Sequence, residues 1–206
     1  MKVLIACEYS GVTRRAFEAL GHEVWSADLE PAEDGADNHY QGDCFDLIAR
    51  EHFDLMIAHP PCTDIAVSGA AWFKEKIADG RQQRALDFVQ RLMDAPIESI
   101  AIENPVSVIS SKIRKPDQII QPWQFGHMEQ KATCLWLKNL PKLTETNNVK
   151  KEMMLLPKRE RERLHYLPPS PTRWKERSRT YPGIADAFAK QWSNQVYTHE
   201  TRDLFA

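Results

Sequence analysis

The sequence predicts an α/β fold, a mostly parallel sheet covered on both faces by helices, with an antiparallel hairpin at one edge. Three observations predict it. Short apolar runs such as VLIAC and FDLMIA show no polar alternation, as strands buried on both faces require. Helical patterns stand between those runs, which is the βαβ signature of a parallel sheet. Two later stretches, DQIIQPWQFG and KATCLWLKNLP, are joined by the polar turn HMEQ and read as an antiparallel pair.

Taken in order, VLIAC (3–7) is the first strand, and TRRAFEALG (13–21) has helical spacing with a glycine stop. HEVWSADLEP returns as a strand that ends at Asp28, and a short third strand precedes Gly42-Asp43. FDLMIA (53–58) and IESIAIENP (97–105) are the next buried strands. Between them, RQQRALDFVQRLMDAP places Ala85, Leu86, Val89, Leu92 and Met93 on one helix face. The edge pair spans 117–126 and 131–141. Beyond Thr144 the pattern weakens into charged helix fragments and the loop LPPSPTRW. TYPGIADAFAKQW (180–192) is then an amphipathic helix begun by Pro182 and Gly183.

A chain of 206 residues with 42% hydrophobic content supports one well-buried domain with a small appendage. Cys7, Cys44, Cys62 and Cys134 are scattered and form no CxxC pair, so neither a zinc site nor a disulfide framework is expected, and reduced thiols are. No apolar stretch approaches the roughly 20 residues that span a bilayer. MKVLIA runs straight into a strand with no signal-peptide pattern, so a soluble, intracellular protein without membrane association is expected. The net charge is −2, yet residues 145–181 carry ten Lys and Arg against five Asp and Glu. A basic segment on an acidic body suits a polyanion-binding face; a solvated charged helix, KRERERL, accounts for the same count.

Ligands of open parallel sheets collect at the carboxyl ends of the strands. Those ends carry Glu8-Tyr9-Ser10-Gly11, Asp28, Gly42-Asp43, His59-Pro60-Pro61-Cys62 and Glu103-Asn104-Pro105. Asp28 lies about 20 residues after a glycine-bearing turn, the spacing of an acid that accepts from a ribose diol. The first turn, ACEYSG, lacks a full GxGxxG pattern, and Asp43 serves equally as a turn former. Cys62 follows two prolines, whose fixed φ and missing amide donors place the thiol on a stiff turn where a nucleophile is presented.

Together, Pro61-Cys62 and Glu103-Asn104-Pro105 resemble the DNA cytosine-5 methyltransferases, whose catalytic loop opens with Pro-Cys after the fourth strand and whose fifth strand ends in Glu-Asn. The resemblance covers about residues 1–141 and is nearest to short phage-type members. It implies a Rossmann-like methyltransferase fold, S-adenosylmethionine as cofactor and DNA as partner. It also implies the cytoplasm of a bacterial host carrying a phage or prophage, and a place in DNA methylation or restriction-modification. On this resemblance Cys62 is the thiolate that adds to cytosine C6, and Glu103, with a pKa raised by burial, protonates N3. Lys131 and Thr133 stand where the family carries Gln-x-Arg-x-Arg, although lysine lacks the planar fork of arginine. Glu8, Tyr9, Ser10, Gly11, Asp28, Asp43 and Pro60 would line the cofactor.

DNA contacts are expected from Trp72 and Lys74 in the lid stretch GAAWFKEK, and from Arg173, Arg177 and Arg179 around Trp174. The expected division is a catalytic domain over 1–143, a short basic insertion over 144–179 in place of a target-recognition domain, and a C-terminal helix over 180–206 packed back on the first. With so short an insertion, specificity is low or comes from a second subunit, as in a homodimer. Two rivals stand beside this reading. Exocyclic-amine methyltransferases (adenine N6 or cytosine N4) use a polar-Pro-Pro-aromatic turn that HPPC half matches. A degenerate fold that merely binds and shields DNA needs no cofactor. Free dCMP as substrate and a donor of a group other than methyl also remain open.

Overall fold

The computed structural model describes the backbone of residues 1–203 and the side chains of residues 1–193. Strand β1 (Lys2–Ala6) leads through helix α1 (Val12–Glu18) to β2 (Glu23–Asp28), the short β3 (His39–Gln41) and α2 (Cys44–Arg50). Then come β4 (Leu55–Ala58), α3 (Phe73–Ala78), α4 (Arg81–Met93), β5 (Ser99–Pro105), α5 (Ile109–Lys112), β6 (Gln118–Ile120) and β7 (Thr133–Lys138). The chain ends with α6 (Lys150–Met154), α7 (Lys158–Arg161), α8 (Arg173–Ser178) and α9 (Pro182–Asp203). The last three residues of the expected 180–206 segment lie outside the described residues.

The seven strands form one sheet in the order β3-β2-β1-β4-β5-β7-β6. Pairs among β1 to β5 are parallel, while β7 runs antiparallel to both β5 and β6. This is the α/β fold that the sequence predicts, a mostly parallel sheet with an antiparallel pair at one edge. The edge differs in one detail. Of DQIIQPWQFG only Gln118–Ile120 is strand; Pro122 cannot donate to a ladder, and a 3-10 turn over Pro122–Gln124 with Gly126 at φ 86° carries the chain away. The connection is therefore longer than HMEQ, and it lets β7 slip between β5 and β6.

Why the strands read as unbroken apolar runs is visible in β1. Leu4 and Ala6 pack on one face with Leu86, Val89 and Leu92 of α4, whereas Val3 and Ile5 pack on the other with Phe17 of α1 and Phe188 and Trp192 of α9. The Phe188 and Trp192 rings stack at 4.6 Å, and Trp192 Nε1 donates to the Pro141 carbonyl. Gly183 lets α9 begin close to the edge loop, since a Cβ there would stand 2.0 Å from the Phe125 carbonyl oxygen. Among the described residues, no helix is long and apolar enough to cross a membrane, and no group of three or more His, Cys, Asp or Glu side chains forms a metal-binding cluster.

Register fixes what meets at the strand ends. Ala6 pairs with Ala58, and Ala58 with Ile102, so the next residues on β4 and β5, His59 and Glu103, emerge side by side. Across the antiparallel pair, Asn104 lies opposite Cys134 and Pro105 opposite Thr133, which draws the start of β7 to the same edge.

Candidate active site

The β1–β3 half of the edge is built from turns. Glu8 is buried, and its carboxylate accepts the Thr13 and Arg14 backbone N–H groups at 2.7 and 3.1 Å, closing the start of α1. Ser10 is held on the same carboxylate, with its hydroxyl 3.4 Å away. Gly11 sits at φ 67°, and a Cβ there would meet Arg14, Arg15 and Asp34 atoms at 2.7 Å, so the turn requires glycine. Asp28 accepts from Glu30 N–H at 2.9 Å, and burial raises its pKa. Asp43 caps α2 by accepting from Phe45 N–H at 3.0 Å.

Between these turns lies a cavity of about 190 Å³ lined by Cys7, Ala27, Asp28, Leu29, Gly42, Asp43, Cys44, Pro61 and Phe88. Its walls are mostly apolar, with the two carboxylates of Asp28 and Asp43 among them. A hydrogen bond to Cys44 and burial push the Cys7 thiol well above its ordinary range, so Cys7 is unreactive lining. Tyr9, expected beside it, turns elsewhere: its hydroxyl donates to the Lys175 carbonyl at 3.0 Å and its ring packs against Trp174 of α8.

The β4–β7 half is built from contacts between elements. His59 Nδ1 donates to Glu103 Oε2 at 3.1 Å, and the other ring nitrogen lies 3.4 Å from the Thr13 hydroxyl. Buried Asn104 donates to the Pro60 carbonyl at 2.9 Å and pins the turn that carries Cys62. Burial and the Glu103 charge raise the Cys62 pKa, while Lys131 and Arg177 lower it. For Glu103, burial works upward, but the His59 hydrogen bond and the Lys131 charge outweigh it and hold the carboxyl below its ordinary value. That corrects the expectation of a raised Glu103: the sequence shows the burial and hides the histidine hydrogen bond and the lysine charge that oppose it. Cys134, also facing Glu103, is pushed by burial to about 11. Cys62, Glu103 and Lys131 thus share one electrostatic neighbourhood.

Lys131 donates through Nζ to the Arg177 carbonyl at 3.0 Å, and the buried Thr133 hydroxyl donates to the Lys131 carbonyl at 3.3 Å. The basic segment folds back over this edge. Arg177 reaches the Ser68 hydroxyl at 3.5 Å, Arg179 is ion-paired with Glu33 at 2.7 Å, and Lys175 with Glu30 at 3.1 Å. Arg173 donates to the His165 carbonyl at 3.3 Å. Two of the ten positive charges counted over 145–181, Lys175 and Arg179, are therefore matched by the loop that carries Glu30 and Glu33. On the lid, Trp72 is 63% exposed and Lys74 is exposed, whereas Lys76 is buried and binds the Thr63 carbonyl and Asp64.

His59, Thr13 and Asn104 complete this half, and no role was expected of their side chains. His59 and Asn104 stand within the strand-end motifs HPPC and ENP, whereas nothing in the sequence marked Thr13. No known family matches the chain, and no curated protein does. Among solved structures, it is similar to a candidate DNA modification methyltransferase encoded within an E. coli prophage, with 16% identity and a TM-score of 0.47. That likeness covers 77% of this chain and 56% of the other, so the chain spans little more than half of that protein's length.

Proposed function

We propose that this chain is a DNA methyltransferase that uses S-adenosylmethionine and acts on C5 of cytosine through a covalent bond from Cys62 to C6. The observation that carries this reading is the convergence of the Cys62 turn, Glu103 and the start of β7 on one strand-end edge, where the Glu103 charge raises and the Lys131 charge lowers the Cys62 pKa. The pocket suits the cofactor: Leu29, Pro61 and Phe88 offer apolar faces for an adenine ring, and Asp28, among the lining residues, offers its carboxylate to a ribose diol. Bound there, the cofactor would supply an electrophilic methyl on a sulfonium, the acceptor for electron density pushed onto C5.

The chain's own residues do the pushing. At rest Cys62 is held as the thiol and Glu103 as the carboxylate, the reverse of the reactive pair. Moving one proton from sulfur to carboxylate yields a thiolate for C6 and an acid for N3. As the S–C6 bond forms, the C5–C6 π pair shifts to C4–C5 and the C4–N3 pair to N3, which takes the Glu103 proton, so C5 becomes a nucleophilic enamine carbon. Once C5 carries the methyl, loss of its proton to a base and return of the N3 proton break the S–C6 bond and free Cys62. The step needs a pyrimidine outside the helical stack, whether flipped or already single-stranded. Lys131 faces the same point and supplies a donor for the ring carbonyl.

Incubation with S-adenosylmethionine and DNA, followed by digestion to nucleosides and mass spectrometry, is expected to give 5-methylcytosine. Cys62→Ser is expected to lose at least about 10³-fold in rate and to form no adduct with 5-fluorocytosine DNA. Methyl on an exocyclic amine, or full activity in Cys62→Ser, would overturn the reading.

A further inference from the structure

The buried His59 ring is left over from the chemistry just described, and its surroundings are too specific for packing alone. It has a carboxylate on one nitrogen and a hydroxyl on the other, Glu103 at 3.1 Å and Thr13 at 3.4 Å, and its side chain is only 7% exposed. A carboxylate only accepts, so Nδ1 carries the hydrogen. Nε2 then accepts the Thr13 hydroxyl in the neutral ring, or donates to it in the imidazolium. In both states Nδ1–H faces Glu103.

We propose that His59 is a positioning residue for Glu103: it ties down Oε2 and leaves Oε1 for the pyrimidine, while Thr13 holds the imidazole in the orientation that donates. This rests on the cytosine-C5 reading above. The energetic reason is orientation. A hydrogen bond to Oε2 fixes the plane of the carboxyl, so Oε1 meets N3 with little reorganisation whether Glu103 is the resting carboxylate or the acid. Oε2 gains no proton in this step; the proton moves from Glu103 to N3 as sulfur bonds C6, and Nδ1–H stays on nitrogen.

The arrangement also joins two sites. Thr13 sits in the first turn of α1, where its N–H is held by Glu8. The turn that borders the cofactor pocket is therefore linked, through Thr13 and His59, to the carboxyl that meets the base. The groups facing the His59–Glu103 pair are Thr13 from α1, Cys62 from the turn after β4, and Lys131 and Cys134 from the start of β7. Of these Lys131 alone is a cation, and it also favours the carboxylate.

Two measurements on the full chain test the proposal. In the ligand-free protein, the Glu103 carboxyl is titrated by carbon-13 NMR, with Glu103→Gln to assign the signal. Removing the donor in His59→Ala leaves burial less opposed, so the Glu103 midpoint is expected to move to higher pH. His59→Asn, whose amide N–H takes the Nδ1 position, is expected to keep it near the wild type. In single-turnover transfer, His59→Ala is expected to lose about 10- to 100-fold, with the acid limb of its pH–rate profile displaced upward. His59→Asn should recover much of that rate, and Thr13→Val should lose less than His59→Ala. An unshifted Glu103 midpoint in a folded His59→Ala, or equal loss at every pH with no rescue by asparagine, would overturn the proposal. A shifted midpoint in a protein whose wild type makes no 5-methylcytosine would instead sink the C5 reading, and the role at the pyrimidine with it.

Discussion

The two halves of the strand-end edge are made in opposite ways. In the β1–β3 half, each carboxylate binds backbone a few residues along its own chain: Glu8 to Thr13, Asp28 to Glu30, Asp43 to Phe45. In the β4–β7 half the partners are remote in sequence: His59 to Glu103 and Asn104 to Pro60 are 44 residues apart, and Lys131 to Arg177 is 46. The first half makes smooth turns around a mostly apolar cavity. The second brings the Cys62 turn, the Glu103 carboxyl, the His59 ring and Lys131 to one edge, an arrangement that local turns cannot build because it needs several strands in register.

The contrast breaks most visibly at Asn104. Asn104→Ala removes the bond to the buried Pro60 carbonyl and is expected to cost about 1–3 kcal/mol in urea unfolding. Because that bond also seats the Cys62 turn, transfer should fall further than the stability loss alone explains. A stable variant with normal transfer would show that the turn holds itself. Asp43→Ala tests the other half: loss of a helix cap is expected to cost about 1 kcal/mol. Calorimetry should show weaker cofactor binding, while 5-fluorocytosine trapping, read at saturating cofactor, persists. The smallest effect is expected at Glu33, whose ion pair with Arg179 lies at the surface. Glu33→Ala should change stability by no more than about 0.5 kcal/mol. It should also free Arg179, so that DNA binding tightens modestly and its salt dependence steepens. Unchanged DNA binding would place Arg179 outside the interface.

Much of the fold was legible because its signals are local. The unbroken apolar runs of β1, β4 and β5, the helical face of α4 and the Pro-Gly start of α9 are all short-range patterns, and each element formed where expected. The edge was read less well, since nothing in the pattern itself says whether the sixth or the seventh strand lies inside. In the site, the sequence pointed to Cys62 and Glu103 through their shared position at strand ends, yet misjudged the proton affinity of Glu103. It also counted Arg179 and Lys175 as available charge, although Glu33 and Glu30 hold them.

By itself the amino-acid sequence determined the alternation of strands and helices and the residues at each strand's end, because periodicity, proline and glycine act over a few residues. The tertiary structure alone decided that His59 lies between Thr13 and Glu103, that β7 fills the place beside β5, and that the basic segment folds onto the acidic loop. Those outcomes depend on strand register and on charges brought together from distant parts of the chain, and pKa values follow from such neighbours rather than from residue type.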